Sequence, residues 1–185
     1  MRCIVTGGAG FIGSNLVDKL VDDGHEVIIF DNYSTGKKEN VNPKAKFFLV
    51  DISHQPSFED KIMKDVMTGV DVVFHLAALA RVQPSIENPI EYHNTNVNGT
   101  LNMLDACRRY DVKRFVFSSS SSVYGDVEEK DLPTSEDANL NPMSPYAIHK
   151  LIGEQYCKLF SELYGMETVC LRYFNVYGER QPVEG

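Results

Sequence analysis

The chain has 185 residues, 43% of them hydrophobic and 24% charged, which suits one soluble domain with a sizeable core. Its net charge of −8, with no basic cluster to offset it, argues against nonspecific binding to nucleic acid. No apolar run is long enough to span a bilayer, and the N-terminus enters a core strand at once rather than a leader peptide, so a cytoplasmic protein without membrane contact is expected. Cys3, Cys107, Cys157 and Cys170 lack metal-ligand spacing and read as reduced packing residues, and the five histidines are scattered, so no metal site is expected.

The chain opens with a β-branched run, 3–6, that breaks at glycines and passes into Phe11, Ile12, Leu16, Val17 and Leu20 at helical spacing. That is a strand, a tight turn and a helix. Gly7, Gly10 and Gly13 sit three apart, and such a turn lets backbone N–H groups approach a pyrophosphate at the helix N-terminus. A second strand, 26–30, ends at Asp31, 18 residues past Gly13, near the spacing at which an acid meets an adenosine ribose. Glycines alone mark any strand-to-helix turn, and Asp31 alone could cap a strand. Together the four features point to dinucleotide binding. The polar loop Asn32, Tyr33, Ser34, Thr35, Gly36, Lys37, Lys38 then falls at the adenosine end. The two lysines suit a 2′-phosphate, but Asp31 would repel it, so NAD is preferred to NADP.

Strand three, 46–50, ends at Asp51 and Ile52, which either meet an adenine ring or start a loop. An amphipathic helix over 57–66 leads to strand four, 70–75. Leu76, Ala77, Ala78, Leu79 and Ala80 follow, small enough to leave a cofactor room at the carboxyl end of a parallel strand. His75 reads as a buried, hydrogen-bonded strand-end residue rather than a base. A long helix over 90–110 holds Asn94, Thr95, Asn96, Asn98 and Gly99, poor helix formers that suggest a backbone held or closely approached. Strand five, 113–117, runs into five serines, 118–122, and then Val123, Tyr124 and Gly125. The serines are either an idle loop or a ligand-facing sheet edge. A polar, acidic loop over 125–145, a helix over 144–163 and strand six, 168–174, complete the pattern. Six strands alternating with helices define an α/β fold with a doubly wound parallel sheet.

Tyr146 and Lys150 are four apart at the start of the last helix and share a face. A phenol near pKa 10 is a poor base at neutral pH. An ammonium one turn away, with the positive nicotinamide of NAD⁺, favours the phenolate; lowering the pKa by three units takes roughly 4 kcal/mol. An amphipathic helix explains the pair equally well, so the dinucleotide turn and the serine cluster carry the catalytic reading.

Taken in order, the glycine turn 6–13, Asp31-Asn32, Asp51-Ile52, the run 75–78, the run 96–100, the serines 118–120, Val123-Tyr124-Gly125, Tyr146 with Lys150, and the run 172–175 resemble the extended short-chain dehydrogenase/reductase superfamily. Within it the chain is most similar to NAD-dependent nucleotide-sugar epimerases and dehydratases of the UDP-glucose 4-epimerase kind. The resemblance implies a Rossmann fold in which Gly7, Gly10, Phe11, Ile12 and Gly13 meet the pyrophosphate of NAD. It sets Asp31, Asn32, Ser34, Thr35 and Gly36 around the adenosine ribose, and Asp51 and Ile52 at the adenine. Leu76, Ala77, Ala78 and Ala80, with Thr95 or Asn96, would line the cofactor's path. Ser120, Tyr146 and Lys150 would be catalytic, with Lys150 also reaching the nicotinamide ribose. Phe174 would flank the nicotinamide, while Asn175 and Arg81 would face the sugar nucleotide.

The implied reaction is transient oxidation of the sugar at C4, rotation of the 4-keto sugar, and re-reduction on its other face. Ser121 and Ser122 stand where sugar dehydratases carry acids, which favours epimerisation over 4,6-dehydration. A non-catalytic NAD sensor would need no Ser/Tyr/Lys set. His149 replaces a serine common among relatives and is expected to point off the catalytic face. A homodimer through the helices near 90–110 and 146–163 is implied as well. Relatives continue beyond the equivalent of Gly185 into a smaller lobe, so residues 1–185 are expected to be the NAD-binding domain with the substrate lobe largely missing.

Overall fold

The computed structural model of the chain describes residues 1–54 and 61–182. Six strands, β1 (Arg2–Thr6), β2 (Glu26–Asp31), β3 (Lys46–Leu49), β4 (Val72–His75), β5 (Arg114–Ser120) and β6 (Glu167–Tyr173), form one sheet. All five pairings are parallel and the order is β3-β2-β1-β4-β5-β6. The order reverses between β1 and β4, and a crevice opens at their carboxyl ends, where doubly wound sheets take ligands.

Alternating side chains make two cores. On one face Ile4, Ile28, Phe30, Val73, Phe115 and Phe117 meet Val66 and Met67 of α2 (Lys61–Met67), Leu104 and Cys107 of α5 (Gly99–Arg109), and Cys157 and Phe160 of α6 (Pro145–Tyr164). On the other, Cys3, Val5, Val27, Ile29 and Val72 meet Val17 and Leu20 of α1 (Phe11–Asp22). The four cysteines are free thiols. Among the described residues no helix is long and apolar enough to cross a membrane.

Three differences from the sequence pattern matter for the site. The first three serines of the 118–122 run belong to β5, because Ser118, Ser119 and Ser120 pair with Leu171, Arg172 and Tyr173 of β6. The helix expected over 90–110 is present without a break over 89–109, but it widens into a π-turn (Asn94–Asn98) between α4 (Pro89–His93) and α5, with helical backbone at both joints. The expected close approach lies there, since a Cβ on Gly99 would fall 2.8 Å from Ile52 Cδ1. A short helix, α3 (Val82–Glu87), precedes α4 in a stretch to which the sequence pattern assigned no element. The helix expected over 57–66 begins outside the described residues, and its remainder is α2.

Candidate functional site

The crevice starts at the glycine turn. Gly7 has φ +71, and a Cβ there would lie 2.8 Å from the Ala77 nitrogen, so this corner accepts no side chain. A Cβ on Gly13 would meet the Gly7 carbonyl at 2.1 Å, which holds α1 tight against the turn. Gly10 caps α1 without any side-chain hydrogen bond. The first-turn N–H groups of Phe11 and Ile12 therefore have no acceptor within the helix and lie at its positive end.

Asp31 stitches the turn to the loop that follows β2. Its Oδ2 accepts the Ala9 N–H at 3.0 Å and its Oδ1 the Tyr33 N–H at 2.7 Å. A Cβ on Gly36 would lie 2.8 Å from that Oδ1, so the loop folds back over the turn. Beyond it lies a cleft of about 630 Å³ lined by Asn32, Ser34, Asp51, Leu79, Ile90 and Thr95, among others. Thr35 is exposed at the loop. Burial alone would raise the Asp51 carboxyl, but hydrogen bonds from Ser53 and Asn32 outweigh it and hold the group below the usual carboxylate range. Ile52 is buried beneath the cleft.

The opposite wall follows β4. Thr6 Oγ1 accepts the N–H groups of Leu76 at 3.2 Å and Ala77 at 3.1 Å. His75 is buried between hydroxyls, Nδ1 2.9 Å from Thr6 and Nε2 3.1 Å from Thr100. Burial first, and Lys150 second, push its pKa down to about 3, so it is neutral. Asn96 aims its amide at the run after β4, accepting the Leu79 N–H and donating to the Leu79 carbonyl, both at 2.9 Å. Ala78 is half-buried and Ala80 exposed.

At the carboxyl end of β5 the start of α6 is capped twice. Ser144 Oγ accepts the Ala147 N–H at 3.1 Å, and Ser85 of α3 accepts the Tyr146 N–H at 3.2 Å. Tyr146, Lys150 and Glu154 follow on one helix face. Lys150 Nζ donates to the Ser118 carbonyl at 2.7 Å and lies 5.8 Å from the centre of the Tyr146 ring. Burial pushes the Lys150 pKa down to about 8.

The Tyr146 phenol departs from expectation. Burial drives its pKa up, and the hydrogen bond from Ser120 that favours the phenolate only partly offsets this. Because burial brings the Lys150 pKa down to about 8, its charge is lost before the phenol ionises, and the lowering expected from it is not seen in the protein alone.

Glu154 is 8% exposed and accepts Arg172 Nε at 2.9 Å, Arg172 Nη2 at 2.8 Å and the Ser119 hydroxyl at 2.5 Å. Sequence spacing offered one signal for Glu154, its place four residues after Lys150; Ser85 carried none. His149 is buried and packs edge-on against His93 of α4, with ring centres 5.4 Å apart. Phe174 is 60% exposed and stacks on Tyr124, while Asn175 and Arg81 are exposed.

The glycine cradle that a Cβ would fill, the uncapped helix end and the two carboxylates, Asp31 at the end of β2 and Asp51 just past β3, fit an extended dinucleotide. Fold and crevice thus define a doubly wound domain of the Rossmann type. Residues 3–185 match the profile of the NAD dependent epimerase/dehydratase family, and the chain belongs to that family. A Methanocaldococcus jannaschii protein provisionally named a UDP-glucose 4-epimerase is 49% identical over 183 residues, covering 98% of this chain and 58% of its own. The Thermus thermophilus UDP-glucose 4-epimerase, solved as a complex with NAD, superposes with a TM-score of 0.92 at 42% identity, covering 98% of this chain and 58% of that one. The Methanobrevibacter ruminantium UDP-N-acetylglucosamine 4-epimerase, solved with UDP-N-acetylmuramic acid, gives 0.88 at 41%, covering 100% and 58%. The chain therefore spans less than three-fifths of the length of these relatives.

Proposed function

We propose that this chain is the cofactor half of an NAD-dependent nucleotide-sugar 4-epimerase, acting on a UDP-hexose or a UDP-N-acetylhexosamine. The convergence of Tyr146, Ser120 and the buried Lys150 at the carboxyl end of β5, beside a dinucleotide crevice, carries this reading. The activities named for the similar proteins support it.

Bound NAD supplies a hydride acceptor and donor at C4 of the sugar. The N–H groups of Phe11 and Ile12 hold the pyrophosphate, with Gly7, Gly10 and Gly13 giving it room. Asp31, Asn32, Ser34, Thr35 and Gly36 surround the adenosine ribose, and Asp51 and Ile52 the adenine. Leu76, Ala77, Ala78 and Ala80, with Thr95, wall the path between, and Asn96 holds that wall in place.

Tyr146 takes the proton of the 4-hydroxyl and later returns it. Ser120 donates a hydrogen bond that orients the oxygen and favours the phenolate. Lys150, with a pKa near 8, keeps most of its charge at neutral pH and adds its field to the same end. Phe174, Asn175 and Arg81 face the open side, where the sugar nucleotide and its lobe lie. An outward stripe on α6, with Ile148 45% and Leu163 62% exposed, supports pairing with a second copy in a homodimer, which this reading assigns to the cytoplasm.

The test is interconversion of UDP-glucose with UDP-galactose, or of the N-acetyl pair, by the intact protein supplied with NAD and followed by proton NMR. Tyr146→Phe is expected to lower kcat at least about 100-fold, the ordinary contribution of a positioned acid/base. No interconversion of either pair, or near-normal turnover by that variant, rejects the proposal.

A further inference from the structure

The epimerase reading uses Ser120 and leaves its neighbour Ser122 without a task, yet Ser122 is bonded to Ser120 twice. Ser120 Oγ accepts the Ser122 N–H at 3.2 Å and the Ser122 hydroxyl at 2.8 Å. A serine hydroxyl has two lone pairs and one proton. We propose that Ser122 is a positioning residue for catalysis: by occupying both lone pairs of Ser120 Oγ it leaves Ser120 only a proton to offer the phenol oxygen of Tyr146. This inference rests on the epimerase reading.

The direction of that proton decides the chemistry. A hydroxyl that donates to the phenol oxygen favours the phenolate, the form that can take a proton from a sugar. A hydroxyl that accepts from the phenol favours the neutral form and opposes catalysis. With its lone pairs free, Ser120 could do either. A donor bonded into Ser120 Oγ also polarises the hydroxyl and strengthens the bond it gives.

The turn is built to hold Ser122 on that oxygen. Ser120 is the N-cap of the 3₁₀ turn Ser121–Tyr124, with extended backbone at φ −150, ψ 147. The residue before it is fixed by the Ser119 hydroxyl donating to Glu154. The far end is fixed by Arg172 Nη1, which donates to the Tyr124 hydroxyl at 2.9 Å. Gly125 closes the turn with φ +67 and an N–H donated to the Ser122 carbonyl at 3.2 Å; a Cβ there would fall 2.1 Å from the Asn141 carbonyl. Ser122 thus cannot drift from Ser120 without breaking contacts to α6, β6 and the loop at Asn141.

Two substitutions separate a proton-orienting role from a merely structural one. Ser122→Ala keeps the N–H and loses the hydroxyl; Ser122→Thr keeps both. In the intact protein, Ser122→Ala is expected to lower kcat about fivefold at pH 7, the effect of one hydrogen bond, with KM within about twofold. The rising limb of the pH–rate profile moves up by about half a unit to one unit, so the deficit closes at high pH. Ser122→Thr restores both. A second readout needs neither cofactor nor sugar: in protein labelled with ¹³Cζ-tyrosine, the Tyr146 resonance, assigned by its loss in Tyr146→Phe, shifts in Ser122→Ala and not in Ser122→Thr. A parental pH limb and parental resonance in Ser122→Ala overturn the inference, as does a threonine variant as impaired as the alanine one. An inactive parent overturns the epimerase reading instead, a failure visible before any variant is made.

Discussion

The guanidinium of Arg172 is forked onto the carboxylate of Glu154, Nε to Oε1 at 2.9 Å and Nη2 to Oε2 at 2.8 Å, and so ties the edge strand β6 to the helix that carries Tyr146 and Lys150. Its remaining nitrogen, Nη1, donates to the Tyr124 hydroxyl and the Glu136 carbonyl, both at 2.9 Å. Pairing with Glu154 raises the Arg172 pKa further above its already high value. One ion pair thereby fixes the strand, the helix and the turn that meet at Ser120.

Removing one partner of such a pair strands the other charge where water is scarce. Arg172→Leu is expected to destabilise the protein by about 3–5 kcal/mol in equilibrium urea unfolding. Replacing Glu154 by Leu in the same molecule is expected to recover much of that loss. A double variant no better than the single one rejects the account.

Lys150 makes stability depend on alkaline pH. Its folded pKa of about 8 lies below the ordinary 10.5, so between these values the unfolded chain binds a proton that the folded chain does not. Stability contributed by this group therefore rises with pH across the window, by about 3 kcal/mol in all. Lys150→Met removes the contribution. The difference in unfolding free energy between parent and variant, measured from pH 7.5 to 10.5, is expected to shift by that amount in favour of the parent; a constant difference contradicts it.

His75 acts at the other end of the scale. Its folded pKa of about 3, against 6.5 ordinarily, means that the unfolded chain takes up a proton first as pH falls. The stability it contributes is complete above pH 6.5 and is lost progressively toward pH 3, to about 5 kcal/mol at most. His75→Gln keeps a polar group between Thr6 and Thr100 but cannot charge. Acid titration of the two proteins by circular dichroism should show a flatter curve for the variant between pH 6.5 and 4.

Two glycine substitutions should part company. A Cβ on Gly153 would fall 2.3 Å from Cζ of the buried Phe117, so Gly153→Ala overpacks the contact between α6 and β5 and costs about 1–3 kcal/mol in thermal or urea unfolding. A Cβ on Gly13 would instead strike the Gly7 carbonyl, a backbone atom at the lip of the crevice. Gly13→Ala is expected to weaken NAD binding at least about tenfold by calorimetry, the equivalent of about 1.4 kcal/mol, whereas Gly153→Ala leaves affinity near the parent's. Equal losses of affinity in both would contradict the separation.

Sequence alone determined the strand–turn–helix at residues 3–22, the alternation of six strands with helices, and the shared face of Tyr146 and Lys150. Each is a pattern of near neighbours, set by backbone freedom at glycine and by the periods of strand and helix. Tertiary structure decided the rest. Three serines became strand only because Leu171, Arg172 and Tyr173 lie beside them. Asn96 clamps Leu79, 17 residues away, and Ser85 caps the N–H of Tyr146 across 61 residues, pairings that no local pattern contains. The phenol of Tyr146 was pushed up rather than down because desolvation sums over everything packed around it, and that surrounding exists only once the sheet and its helices have come together.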